Sequence, residues 1–134
     1  MNESLYMLME DTDLGHAGSE YTTDEANFGY QPNWAGGDGN FGLHFIVTET
    51  FTAMVSAILW IVSDDTTAPT LWDTGARQNG RGFVLADLTI GKHYFIPCSP
   101  TVKQYARGYW EVISTNSTNG EGTIYFGPRE GGEE

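Results

Sequence analysis

The chain has 134 residues, with 6 Lys plus Arg against 18 Asp plus Glu, giving a formal net charge of −12. An apolar content of 40%, including 7 Phe, 7 Tyr and 4 Trp, is enough to build one domain's core and excludes wholesale disorder. The acidity argues against nucleic acid or an anionic membrane surface as the partner, because both are bound through clustered cations.

Residues 1–40 hold eight of the acids and no Lys or Arg. The opening residues lack a basic stretch followed by a long apolar one, so no signal peptide is expected. No apolar run approaches the ~18 to 20 residues of a membrane-spanning helix. This segment has no sustained period. It carries scattered anchors instead, among them Leu5, Tyr6, Met7, Leu8, Met9, Phe28, Tyr30 and Trp34. Frayed tails are usually poor in such residues, so residues 1–40 read as an acidic, irregular, extended arm lying on a surface, its own or a partner's.

From Phe41 the pattern turns to short β-type runs broken by turn residues. Phe41, Leu43, Phe45 and Val47 share one strand face, with His44 and Thr48 on the other. Residues 53–62 are apolar on both faces, which predicts a central, doubly covered strand. A polar loop over 63–69 leads to a short strand around Leu71-Trp72, and 75–82 reads as a turn-rich link. Strands are predicted over 83–88 and 92–97, on either side of a turn at Gly91. In the next run, 104–114, Ala106, Gly108, Trp110 and Val112 face a core. Tyr105, Arg107, Tyr109 and Glu111 form an amphipathic stripe on the opposite face. A turn at 116–122, a last strand at 123–126 and a Gly/Glu-rich end complete the chain. The whole predicts an all-β fold, a β-sandwich or jelly roll of about seven or eight strands over 41–128, with a flexible acidic tail over 129–134.

Motifs for chemistry are sparse. Gly37-Asp38-Gly39-Asn40-Phe41-Gly42 matches a dinucleotide-binding fingerprint, but it precedes a strand where that chemistry needs a following helix. Leu71-Trp72-Asp73-Thr74-Gly75-Ala76 is similar to the active-site run of retroviral-type aspartic proteases, which would require a homodimer sharing one proton between two copies of Asp73. No glycine-rich flap segment follows at the spacing such a protease needs, and a strand ending in a capped turn accounts for the same residues. The three His, at 16, 44 and 93, are far apart, and His44 and Glu49 fall on opposite strand faces, so no metal site and no cofactor is predicted. Asp11-Thr12-Asp13 and Asp64-Asp65 read as turn formers, since no 12-residue calcium loop surrounds them. Cys98 is the lone cysteine, which excludes an intrachain disulfide and fits folding in a reducing cytoplasm. The Asn-x-Ser/Thr matches at Asn2 and Asn116 then read as chance.

The aromatic surplus points to contact surfaces. Tyr and Arg on one sheet face can be an ordinary solvent face, yet they are the residue types that dominate interfaces. Tyr6, Met7, Met9, Phe28, Tyr30 and Trp34 in the arm, with Tyr105, Arg107 and Tyr109 in the stripe, are the predicted interface residues.

The chain also resembles the cement, or decoration, proteins of tailed-bacteriophage heads, of the podophage jelly-roll type. The resemblance rests on Leu8-Met9-Glu10-Asp11, Val47-Thr48-Glu49-Thr50-Phe51-Thr52-Ala53, Ser63-Asp64-Asp65, Leu71-Trp72-Asp73-Thr74-Gly75, Ile96-Pro97 with Pro100, and Tyr105-Ala106-Arg107-Gly108-Tyr109-Trp110-Glu111-Val112. Residues 20–40 depart from that pattern in being longer and richer in Gly, Asn and aromatics. The resemblance implies a non-enzymatic virion protein, made in the host cytoplasm, that forms homodimers or other small homo-oligomers. It would bind the outer surface of the major capsid protein lattice, with no nucleic-acid or membrane partner. The alternatives are a carbohydrate-binding jelly roll at a virion surface and the Asp73 protease.

Overall fold

The computed structural model describes residues 6–14, 19–28, 41–53, 56–64, 66–69, 77–98, 104–113 and 119–133. Its strands are β1 (Tyr6–Asp13), β2 (Glu20–Tyr21), β3 (Ala26–Asn27), β4 (Phe41–Thr52), β5 (Ser56–Asp64), β6 (Arg77–Val84), β7 (His93–Pro97), β8 (Tyr105–Val112) and β9 (Asn119–Pro128). One sheet runs β1-β9-β4-β7 and the other β2-β8-β5-β6, with β3 also paired to β8. All described pairings are antiparallel. The chain crosses between sheets at nearly every step, except from β2 to β3 and from β5 to β6. That alternation is the jelly-roll order.

The core lies between the sheets. Leu43, Phe45 and Val47 of β4 face Ala57, Leu59 and Ile61 of β5 and Ala106 and Trp110 of β8, all essentially inaccessible. Trp110 sits at the centre, its ring 5.3 Å from that of Phe45 and 5.7 Å from that of Phe51. Such tilted aromatic pairs add about 0.5–1.5 kcal/mol each beyond the area they bury. The entry to β9 depends on Gly120, whose φ of +145° few side chains tolerate and whose added Cβ would fall 2.4 Å from the Phe51 ring.

Several expectations need correcting. The stretch read as a link, 75–82, is already strand from Arg77 onward, and the strand ends at Val84 in a short 3-10 turn over Leu85–Asp87. Glycines at 80 and 82 made an edge strand look like a turn. β9 begins at Asn119, earlier than predicted, because Asn119, Glu121 and Gly122 already pair with Thr52, Glu49 and Val47 of β4. The described part of the acidic leader lies on the chain's own sandwich. β1 pairs with β9, while β2 and β3 form one interrupted edge along β8. Its period was hidden by register shifts on either side of Met9 and by two-residue pairings. The acidic end, Arg129–Glu133, folds back over the outer face of the first sheet, where Tyr125 donates to Glu130 at 2.9 Å. The predicted strand at Leu71-Trp72 and the Asp73 run lie outside the described residues.

Candidate functional site

Two surfaces gather side chains with recognisable chemistry, one on the outer face of each sheet. On the second sheet, the residues of β8 alternate as predicted: Ala106, Gly108 and Trp110 point inward and are buried, while Tyr105, Arg107, Tyr109 and Glu111 are half-buried on the outside. Register pairs Tyr21 with Tyr109, Tyr109 with Trp60, and Trp60 with Gly80, so one row crosses β2, β8, β5 and β6. The Tyr21 and Tyr109 rings lie 4.4 Å apart. The Trp60 indole rests on Gly80, since a Cβ built there would fall 2.4 Å from Trp60 Cε3.

Polar contacts hold this row in place. Arg107 Nε donates to the Pro69 carbonyl at 2.8 Å, and its guanidinium lies 4.2 Å over the Tyr21 ring. Trp60 Nε1 donates to Glu111 Oε1 at 2.9 Å. Each cation–π contact of this exposed kind is worth about 0.5–1 kcal/mol. More important for recognition, the long side chains are already ordered, so docking loses less rotamer entropy. Tyr105 stands at the end of the stripe, opposite Asn27 and Asp64. Sequence reasoning found Tyr105, Arg107 and Tyr109 but not Tyr21 or Trp60, which join them only through cross-strand register.

The leader residues are distributed differently. Met9 is 5% exposed and belongs to the core. Phe28 is packed against the core, 5.6 Å from the Phe126 ring, and Tyr6 meets Phe28 edge-on at 5.1 Å. All three contact their own chain, Met9 within the core and Tyr6 and Phe28 partly buried against it. Met7, by contrast, is 49% exposed. Tyr30 and Trp34 lie outside the described residues.

The second surface was not foreseen. His44 points to the outer face of the first sheet, as its alternation requires, yet it is fully buried there under the folded-back chain end. Tyr125 stacks on it at 4.5 Å with the rings nearly parallel. His44 Nε2 lies 3.0 Å from Pro128 O and 3.3 Å from Gly127 O. On its other side, Nδ1 is 2.8 Å from His93 Nε2 and 3.4 Å from Glu133 Oε2. Burial lowers the basicity of His44 and, with neighbouring His93, outweighs the Pro128 carbonyl and the Glu133 and Glu130 carboxylates. For Glu133, burial works upward, but N–H groups of Glu130, Gly131 and Glu133 itself, with His44, hold the carboxyl down to about 2. The Glu130 and Gly131 N–H groups each donate to that carboxylate at 2.7 Å. Composition alone could not have joined residues from β4, β7 and the chain end.

The remaining candidates have structural roles. Asp11 accepts from the Thr123 hydroxyl at 3.4 Å, and Glu49 accepts from Gly120 N at 3.1 Å, both at irregularities of the strands. Gly42, the last glycine of the fingerprint match, is mid-sheet between Pro97 and Gly127, while residues 37–40 lie outside the described part. No protein-family model matches the chain, and no curated protein matches it significantly in sequence.

Proposed function

We propose that this chain is a non-enzymatic structural protein of a tailed-phage virion, a capsid decoration protein that docks on the outside of the major capsid protein lattice. The observation that carries the reading is the ordered row Tyr21–Tyr109–Trp60 with Arg107 pinned beside it. Tyr, Trp and Arg are the residues that most often dominate binding energy at protein interfaces. A net charge of −12 keeps such a protein away from packaged DNA and on the shell's exterior. The capsid as partner comes from the sequence resemblance. Repetition over a lattice lets modest contacts accumulate into firm attachment.

The test is re-binding of purified protein to particles stripped of it. Tyr109→Ala combined with Arg107→Ala is expected to cut occupancy at least tenfold, since loss of central interface anchors typically costs about 2 kcal/mol or more. Unchanged occupancy of a folded double variant overturns the reading. The flat seating of Trp60 over Gly80 favours a second reading, a sugar-stacking platform at a virion surface. A glycan array on which binding disappears in Trp60→Ala supports that reading instead.

A further inference from the structure

The outer face of the first sheet carries a feature that docking does not use. Three donor groups converge there from separate parts of the chain: His44 of β4, His93 of β7 and Glu133 of the chain end. One ligand atom from each lies within 4.8 Å of the others. The carbonyls of Pro128 and Gly127 can only accept hydrogen bonds, so the His44 nitrogen facing them, Nε2, carries a proton. Its other nitrogen, Nδ1, is turned toward a carboxylate oxygen at 3.4 Å and an imidazole nitrogen at 2.8 Å. That geometry is met either by a proton, carried as an N–H from His93 Nε2 to His44 Nδ1, or by a metal ion that all three groups ligate.

We propose that His44 Nδ1, His93 Nε2 and Glu133 form a binding site for one divalent transition-metal ion of the zinc class. Two imidazoles and one carboxylate suit zinc, cobalt or nickel, whereas calcium and magnesium require oxygen ligands. Three protein ligands leave at least one coordination position for water or another donor. Zinc bonds of about 2.0–2.2 Å place tetrahedral ligands about 3.3–3.5 Å apart. The His44–Glu133 separation of 3.4 Å already fits this, and the His44–His93 separation of 2.8 Å has to widen by about 0.5 Å. The surrounding groups are those a metal site needs. His44 offers its second ring N–H to backbone carbonyls, which fixes the tautomer and aims Nδ1 at the ion. Glu133 is oriented by two backbone N–H groups. The ion would tie the acidic chain end to β4 and β7, closing the cover over His44.

The test is titration of the metal-free full chain with Zn²⁺ in competition with a chromophoric chelator, and with Co²⁺ read by its visible d–d bands. One ion per chain is expected, with a rise in melting temperature that a chelator reverses. His93→Ala and Glu133→Gln are each expected to weaken binding by at least about 10–100-fold. Circular dichroism of the metal-free variants checks that each remains folded. His16→Ala is expected to bind as the parent does. Absence of stoichiometric binding by Zn²⁺, Co²⁺ and Ni²⁺ overturns the site and leaves a cluster sharing only protons. Binding that survives both His93→Ala and Glu133→Gln overturns it equally, placing the ion on surface carboxylates.

Discussion

The seating of Trp60 can be tested by adding a single carbon. Gly80 and Gly82 lie two apart on the edge strand β6, paired with Trp60 and Ile58 respectively, and so present the same outer face. A Cβ at Gly80 would lie 2.4 Å from Trp60 Cε3 and 2.8 Å from both Cδ2 and Cζ3, whereas one at Gly82 meets nothing within 4 Å. Neither glycine has the positive φ that penalises alanine. Gly82→Ala is therefore expected to stabilise by about 0.4–1 kcal/mol, through the lower entropy of the unfolded chain. Gly80→Ala has the same gain but must lift the indole. That breaks the 2.9 Å bond from Trp60 Nε1 to Glu111 Oε1 and strips the ring of its contact with the sheet. A hydrogen bond to a charged group is worth about 1.5–3 kcal/mol, less at this half-exposed position, so Gly80→Ala is expected to destabilise by about 1–2 kcal/mol net. Urea unfolding followed by circular dichroism measures the stability difference, and tryptophan emission should shift in Gly80→Ala only. If the two variants are equally stable with the same emission, Trp60 does not lie on Gly80.

Three further outcomes follow from the same structure. Gly120→Ala combines a φ of +145° with a Cβ 2.4 Å from the Phe51 ring, and should cost about 2–4 kcal/mol in urea unfolding; a loss under 1 kcal/mol contradicts that packing. The Cys98 thiol, pushed up to about 12 by burial, should resist a thiol reagent at pH 8 in the native protein and react fully in guanidinium; rapid native labelling would refute its burial. Burial, helped by Asp13, raises the Glu20 carboxyl, so its stability contribution is present below the unfolded pKa and lost as pH rises through the folded one. Glu20→Gln escapes that loss, and its melting temperature relative to the parent should therefore rise between pH 4 and pH 7. A difference that shrinks over this range refutes the sign.

What was legible in the chain followed the physics that acts locally. Strict alternation in 104–112 marked both faces of β8, because a half-buried strand writes its two environments into odd and even positions. The apolar run of β5 marked a central strand, and β6 and β8 do flank it. Its outer face is covered differently from the expectation, however. Trp60 is half-buried on that face, while Val62, paired with Arg107, is fully buried. The first part of β6 was missed because Gly80, which reads as a turn residue, answers to the Trp60 ring on a neighbouring strand. His44 was placed on the correct face, but its burial had no local signal, since what buries it is a chain end whose Gly/Glu composition reads as solvated tail. In each miss, a contact distant in sequence overrode a local signal.

The central claim, attachment to a capsid through the outer face of the second sheet, is tested most directly by electron cryomicroscopy of purified particles. The expected map shows this jelly roll on the shell exterior, with Tyr21, Tyr109 and Trp60 against the major capsid protein. A particle lacking the chain, or carrying it with that row turned to solvent, contradicts the account.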